Sequence, residues 1–232
     1  MDRLIITLDG PAGSGKSTLA RRLAHRLGIE FLDTGAMYRG LTAMALGRGI
    51  DLVEEPFYVV ELARNCPLTF DWSKDPPALM VRDQDMTPRL RDADVAAGVS
   101  EVAKLAGVRD VMVREQQKIG REHPRLVTEG RDQGSIVFPE AAVKFYMDAD
   151  PQIRAERRAA QLREAGRKVD LAAIRESIVA RDAKDRSRAV GPLMIPNDAE
   201  VIDTTAMDLA DVEDLLHTKV IDRTGSARSA PR

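Results

Sequence analysis

The sequence predicts an α/β protein whose core has three layers, with a parallel sheet between helices. Apolar runs of strand length alternate along the chain with longer stretches in which apolar residues recur at helical spacing. The first apolar run ends at a glycine-rich turn that leads directly into a helical stretch. Charged residues make up 31% of the chain and aromatic residues 4%, which is typical of a soluble, helix-rich protein.

The first predicted unit carries a phosphate-binding motif. Residues 4–9 form an apolar strand, residues 10–17 fit the pattern G-x-x-x-x-G-K-[ST], and residues 19–27 form an amphipathic helix. The glycines let backbone N–H groups converge on a β-phosphate, which also faces the positive end of the helix. We expect Lys16 to reach the β- and γ-phosphates and the Ser17 hydroxyl to bind Mg2+. The residues expected to contact the nucleotide are Gly10, Pro11, Ala12, Gly13, Ser14, Gly15, Lys16, Ser17 and Thr18.

A second anion pocket is predicted after the next strand, at residues 29–33. A helix opens at Thr34 and continues to about residue 47, and Arg39 lies close to its start. The Thr34 hydroxyl either only caps this helix or joins Arg39 and the free N–H groups in binding an anion. Two phosphate sites in one chain suggest transfer between two phosphorylated molecules.

The middle of the chain has a different character. Residues 67–88 predict an antiparallel insertion with two short strands, at 68–70 and 78–81. Helices are predicted from near residues 93 and 108. Ser100 and Arg109 lie in these helices without a motif, and most such residues are solvated helix surface.

Polar residues follow the next apolar run at the carboxyl end of a predicted strand, where open α/β sheets bind ligands. Glu129 is placed to help hold Mg2+ through water, and a glycine-flanked pair, Arg131 and Asp132, comes directly after it. The alternative for Arg131 is a purely structural ion pair with a neighbouring acid.

Two arginine-bearing helices are predicted after a strand at residues 143–148. The first, residues 151–164, carries Arg154, Arg157 and Arg158 at helical spacing, and the second, residues 171–186, leads to Arg181, Asp185 and Arg188. These charges form either a solvated face or a mobile flap that closes over phosphates and excludes water. A last strand at 200–204, a helix at 208–219 and a disordered tail at 224–232 complete the prediction.

The composition of the whole chain excludes several classes of protein. A net charge of −2 argues against a nucleic-acid binder that relies on phosphate neutralisation. Cys66 is the only cysteine, so neither an intramolecular disulfide nor a cysteine-based metal cluster is expected. No apolar run approaches the ~20 residues that span a bilayer, and no signal peptide precedes the first strand. We therefore expect a cytoplasmic protein that binds neither nucleic acid nor membrane.

Four motifs, taken in this order, resemble bacterial cytidylate kinases, which belong to the phosphate-loop nucleoside monophosphate kinases. They are D-G-P-x-G-x-G-K at 9–16, D-T-G-A-M-Y-R at 33–39, G-R-D-x-G at 130–134 and R-D-x-x-D-R-x-R at 181–188. The phosphate loop is shared by many unrelated enzymes, whereas the other three motifs are jointly specific. The resemblance runs from about residue 4 to residue 220. The family often has Asp in place of Glu129 and Ser in place of Thr34.

The resemblance implies a single domain over residues 1–223. Its parts would be a parallel-sheet core, a part that binds the nucleoside monophosphate (about 34–120, enlarged by the insertion) and a helical lid (about 150–190). It implies ATP as donor, Mg2+ as cofactor, and CMP and dCMP as substrates that become CDP and dCDP. We expect the protein to act on these small molecules as a monomer.

The resemblance also implies roles for individual side chains. Thr34, Arg39 and Arg131 would hold the α-phosphate and nearby sugar of CMP. The cytosine edge would be read by Ser100, Arg109 and Asp132, since an acid suits its amino donor and an arginine its acceptors. Arg181, Asp185 and Arg188 would contact sugar and base. Lys16, Arg131 and the lid residues Arg154, Arg157 and Arg158 would neutralise charge during transfer.

Two other hypotheses remain open at this point. A kinase of the same architecture with another acceptor, such as UMP, AMP or shikimate, would keep the phosphate loop and lose the base-reading residues. A GTPase-like switch would act through partners, but its guanine-reading Asn-Lys-x-Asp is absent from the sequence.

Overall fold

The computed structural model describes residues 3–164 and 166–225, which form two sheets surrounded by helices. The strands are β1 (Leu4–Asp9), β2 (Glu30–Asp33), β3 (Leu68–Asp71), β4 (Ala78–Val81), β5 (Gln84–Asp85), β6 (Arg125–Gly130), β7 (Val143–Asp148) and β8 (Glu200–Asp203). The helices are α1 (Lys16–Leu27), α2 (Thr34–Gly47), α3 (Pro56–Asn65), α4 (Ala93–Ala103), α5 (Ala106–Glu122), α6 (Pro151–Glu164), α7 (Leu171–Arg186) and α8 (Leu209–Thr224). A 3-10 turn (Thr87–Arg91) and a π turn (Gln133–Val137) complete them.

The main sheet has five parallel strands in the order β2-β6-β1-β7-β8. Asp9 pairs in register with Gly130 on one side and with Tyr146 on the other, and Asp33 pairs with Glu129. The carboxyl ends of the three strands β2, β6 and β1 therefore meet at one edge of the sheet. This is the edge at which parallel α/β sheets bind ligands.

The core lies on both faces of this sheet. Alternate residues of β1 face opposite ways, so Ile5 joins one apolar cluster while Ile6 and Leu8 join another. Helices α2 to α5 contribute to the first cluster, and α1 and α8 contribute to the second. The three-layer α/β architecture predicted from the sequence is confirmed.

The insertion is an antiparallel sheet in the order β3-β4-β5. Its third strand, two residues long, was not predicted. Trp72, in the turn after β3, stacks on His123 at the end of α5 with ring centroids 4.0 Å apart. The insertion is thus packed against the helices that follow it.

Two details of the sequence prediction are corrected by the structure. Asp33, not Thr34, caps α2, because its side chain accepts the Ala36 N–H while Thr34 is already helical. Helix α8 extends to Thr224, beyond the predicted end at residue 219 and into the predicted tail, and ends at Gly225 in a left-handed conformation. The rest of that tail, 226–232, lies outside the described residues. Among the described residues, no helix combines the length and apolar character needed to cross a bilayer.

Candidate active site

The loop between β1 and α1 depends on glycines in conformations that other residues rarely adopt. The φ angles of Gly10, Gly13 and Gly15 are 147°, 80° and 86°. A Cβ at Gly10 would overlap the carbonyl oxygen of Met147 on the neighbouring strand. Because α1 begins directly after Gly15, its free N–H groups lie at the carboxyl edge of the sheet, where an anion can bind.

Lys16 is buried within this loop. Its Nζ donates to the carbonyl oxygen of Pro11 at 2.7 Å and to the hydroxyl of Ser14 at 3.3 Å. Burial, together with the nearby positive charge of Arg131, lowers the pKa of Lys16 to about 7. A phosphate beside Nζ would restore the charged form, so this side chain is suited to an anionic ligand.

The phosphate loop is also held by contacts with helices α6 and α7. Arg154 on α6 donates from Nη1 to the carbonyl oxygen of Ala12 at 2.9 Å. Asp182 on α7 accepts the N–H of Ala12 at 3.3 Å and pairs with Arg154 at 2.6 Å. Both charged side chains are buried. The Arg154–Asp182 ion pair therefore contacts both the N–H group and the carbonyl oxygen of Ala12.

Two side chains with oxygen atoms suited to metal binding, Ser17 and Glu129, lie beside the start of α1. The Ser17 hydroxyl donates to Glu129 Oε1 at 2.7 Å. Burial, and then the nearby carboxylate of Asp33, raises the pKa of Glu129. Hydroxyl and carboxylate oxygens are ligands that Mg2+ prefers, so these residues fit that ion. Within residues 3–164 and 166–225, no cluster of three or more His, Cys, Asp or Glu could hold a metal ion.

A cluster of arginines forms a second positive region at the same edge of the sheet. Arg39 pairs with Asp33 at 2.6 Å, and Asp185 accepts from Arg131 at 2.8 Å and also from Arg188. Arg181 lies close to these groups, and burial followed by the charge of Arg131 lowers its pKa to about 10. In the described part of the chain, its Nε is buried without a hydrogen-bond partner.

Salt bridges join three of these arginines, Arg39, Arg131 and Arg188, to two carboxylates, Asp33 and Asp185. Glu129 also lies close to Arg131. Thr34 lies next to the cluster, and its hydroxyl donates to the carbonyl oxygen of Glu129 at 2.7 Å. An anion that entered here would meet several guanidinium groups with unused donors.

A buried ion pair joins Arg109 on α5 to Asp132 in the turn after β6. Only 3% of the Arg109 side chain and 7% of the Asp132 side chain are exposed. The Arg109 guanidinium also lies 6.0 Å from the ring centroid of Tyr38. Burial raises the pKa of Asp132, and Arg109 opposes this shift. Ser100 is half-buried on α4, and no hydrogen bond within the described residues joins it to this pair.

Gly191 allows the Arg109 guanidinium to reach its place. A Cβ at Gly191 would overlap that guanidinium, and the residue has a φ of 62°. The segment after α7 therefore lies directly over Arg109. This contact connects the Arg109–Asp132 pair to the end of α7.

The comparisons with known proteins agree with this geometry. The family model for cytidylate kinase matches residues 6–221. The chain belongs to the cytidylate kinase family. It is 41% identical to the cytidylate kinase of Stutzerimonas stutzeri over 94% of this chain and 96% of the relative. It is 42% identical to the cytidylate kinase of Maridesulfovibrio salexigens over 91% of this chain and 94% of the relative.

A solved structure supports the fold alone. An uncharacterized protein from Eubacterium ventriosum superposes with a TM-score of 0.51 at 14% identity, over 95% of this chain and 99% of that chain. The predicted family membership rests instead on the relatives in sequence, and it is confirmed.

The guanidinium groups of the three arginines on α6 do not meet at one place in this member of the cytidylate kinase family. Arg154 contacts the phosphate loop, as described. Arg157 donates to the hydroxyl and carbonyl oxygens of Thr204, at 3.0 and 2.6 Å, just after β8. Arg158 is exposed and contacts only Gln161, at 3.4 Å, among the described residues. Their helical spacing places them near one another on α6, but their guanidinium groups have three different surroundings.

A cleft of about 700 Å³ lies next to Arg154 and Asp182. It is bounded by residues of β7 and β8, by the segments that follow these strands, and by helices α6 and α7. This cleft was not predicted, because its walls come from four elements that are distant in the chain. Its lining residues include Asp148, Asp150, Arg154, Asp182, Arg186 and Thr205.

Proposed function

We propose that the protein transfers the γ-phosphoryl group of Mg-ATP to the 5′-phosphate of CMP and dCMP, giving CDP and dCDP. The observation that carries this proposal is the presence of two anion sites at one sheet edge. The glycine-rich loop forms the first, and the arginine cluster beside the buried Arg109–Asp132 pair forms the second. The relatives named cytidylate kinase support the choice of acceptor.

In this proposal, the phosphate loop binds the donor. The N–H groups at the start of α1 and the Lys16 ammonium would hold the β- and γ-phosphates. The rest of the nucleotide would extend into the cleft beside Arg154 and Asp182, which adjoins the loop through their contacts with Ala12.

The arginine cluster would bind the acceptor phosphate. Arg39, Arg131 and the Thr34 hydroxyl are the donors assigned to the α-phosphate and the nearby sugar. Thr34 and Arg131 lie close to Glu129, which is proposed to help hold Mg2+. Arg181, Asp185 and Arg188 are assigned to sugar and base. Since Arg131 and Arg188 already share Asp185, an entering phosphate would compete with that carboxylate for their donors.

The Arg109–Asp132 pair would distinguish cytosine from uracil. Asp132 accepts from the N4 amino group of cytosine, and Arg109 donates to its N3 and O2 acceptors; Ser100 is assigned to the same base edge. Uracil has a carbonyl group in place of the amino group, so the Asp132 oxygen that faces the base would have no donor there, at a cost of roughly 1–3 kcal/mol. This is the physical basis for proposing CMP and not UMP.

Ser17 and Glu129 would hold Mg2+, directly or through water. When bound, the ion neutralises phosphate charge between donor and acceptor. The residues of the chain align the two phosphates and neutralise the rest of the charge: Lys16 and Arg131 lie within the site, while Arg154, Arg157 and Arg158 belong to the lid. No covalent intermediate is needed, since the acceptor phosphate is already an anion at neutral pH.

We also propose a single domain over residues 1–223, with the nucleoside monophosphate part at about 34–120 and the lid at about 150–190. We propose further that the protein is a monomer and acts in the cytoplasm, where its nucleotide substrates occur.

A coupled ADP-release assay tests the proposed function. Mg-ATP is supplied with CMP, dCMP, UMP, AMP or shikimate in separate reactions. We expect strong turnover on CMP and dCMP and weak turnover on UMP. Preferential turnover on another acceptor would overturn the assignment of the base-reading residues.

A further inference from the structure

Asp9, the first residue of the D-G-P-x-G-x-G-K motif at 9–16, connects the two anion sites. It is the last residue of β1 and is fully buried. Its Oδ1 accepts the N–H of Gln133 at 2.8 Å, and its Oδ2 accepts the N–H of Gly134 at 2.7 Å. The residue after Asp9 is the first glycine of the phosphate loop, and the residues before Gln133 are Arg131 and Asp132.

The turn that carries Arg131 and Asp132 lies beyond the strand ladder. Strand β6 ends at Gly130, so no strand pairing fixes the next residues. Asp9 supplies two backbone contacts at the far end of this turn. The Gln133 side chain supplies others, by accepting from the Thr128 hydroxyl at 2.9 Å and donating to Gln116 at 3.0 Å.

The phosphate loop is fixed differently. Strand β1 pairs with β6 and β7 through Asp9, and α1 begins directly after the loop. Loss of the Asp9 carboxylate would leave these backbone pairs in place. It would remove backbone contacts from the turn that carries Arg131 and Asp132, and so loosen this turn more than the phosphate loop.

The chemistry of the contact suits a carboxylate. Both oxygens accept N–H groups, and an ionised carboxylate accepts on both whereas an amide accepts on one only. Burial raises the pKa of Asp9 to about 7, while the two N–H groups oppose this shift and Lys16 lies near enough to do so as well.

We propose that Asp9 is a positioning residue for the acceptor: its carboxylate holds the backbone at Gln133 and Gly134 and thereby sets Arg131 and Asp132 against the phosphate loop. This inference rests on the proposed function, since it assigns a consequence for CMP. Asp9 itself touches neither substrate in this account.

Asp9→Asn tests the proposal, because it keeps the shape of the side chain and places an NH2 group against a backbone N–H. We expect KM for CMP to rise roughly 10-fold or more, as for a lost hydrogen bond to a charged group. KM for ATP should change less than about 2-fold, and the preference for CMP over UMP should fall.

Amide hydrogen exchange separates positioning from a general loss of stability. In Asp9→Asn, the N–H groups of Gln133 and Gly134 should exchange faster, while those of β1 and β6 should not. Val220→Ala, a buried change in α8 away from the site, is the matched control for lost stability. Equal rises of KM for CMP and ATP, or an unchanged KM for CMP, would overturn the proposal.

A measurement on the unaltered protein covers the case in which Asp9→Asn does not fold. The amide protons of Gln133 and Gly134 should exchange slowly and resonate downfield, as N–H groups bonded to a carboxylate. Fast exchange of both would refute the role. If instead the unaltered protein does not turn over CMP at all, the proposed function fails, and this outcome is visible without any variant.

Discussion

Replacing Arg109 by leucine removes the cation from a buried ion pair and leaves the carboxylate of Asp132 buried without its ion-pair partner. Because the two side chains are only 3% and 7% exposed, solvent cannot replace the lost partner. Breaking such a pair by removing one member costs about 3–5 kcal/mol. For a chain of this size, 1 kcal/mol shifts Tm by about 2–4 °C, so Tm should fall by about 6–20 °C.

The loss of stability in Arg109→Leu should grow as pH rises. Burial already raises the pKa of Asp132 and Arg109 opposes that shift, so the variant should have a still higher pKa at Asp132. The folded state then binds more protons than the unfolded state, and stability falls as pH rises from about 4 through the folded pKa. The deficit of Arg109→Leu should therefore be larger at about pH 8 than at about pH 5.

Thermal melts without substrate measure this effect. Arg21→Leu is the matched control, since the Arg21–Asp75 pair is 2.8 Å long but 44% and 66% exposed. It should cost less than about 1 kcal/mol. A double change, Arg109→Leu with Asp132→Leu, should recover much of the loss, because neither member of the pair is then left as an unpaired buried charge. A loss for Arg109→Leu as small as that of Arg21→Leu would refute the reasoning.

Three further changes test the donor site. Lys16→Met should lower kcat at least ~100-fold in the ADP-release assay, as expected for a lost preorganised charge, and near-normal turnover would contradict its assigned role. Glu129→Gln should raise the Mg2+ concentration needed for half-maximal rate, and an unchanged Mg2+ titration would remove this residue from the metal site. Gly10→Ala should destabilise the protein by at least ~2 kcal/mol in thermal melts, because its Cβ would overlap the Met147 carbonyl; Gly47→Ala, with open space at that position, should not.

The fold was largely predictable because its signals are local. Strand and helix periods, the glycine-rich turn and the proline at the start of α6 lie within short windows of sequence, and they placed seven of the eight strands. The two-residue strand β5 was missed because it is too short to have a periodic pattern. At the start of α2 the prediction placed the cap at Thr34, whereas Asp33, which is also a good capping residue, caps the helix in the structure.

The contacts around the site were less predictable because they join distant parts of the chain. Asp9 reaches a turn 124 residues away, and Arg154 reaches Ala12 across 142 residues. Helical spacing indicated that Arg154, Arg157 and Arg158 share a region of α6, but it carries no information on where long side chains end. Asp9 was indicated by its place in the D-G-P-x-G-x-G-K motif and at the end of a mostly apolar strand, but neither signal says which residues its carboxylate contacts.

The ratio of kcat/KM for CMP to that for UMP, measured in the unaltered protein and in Asp132→Ala, tests most directly whether the Arg109–Asp132 pair reads the base. If Asp132 reads the amino group of cytosine, the unaltered protein should favour CMP and the variant should lose roughly 5- to 150-fold of that preference. A ratio that does not change in Asp132→Ala would contradict the account, because the buried Arg109–Asp132 pair would then not be the reader of the base.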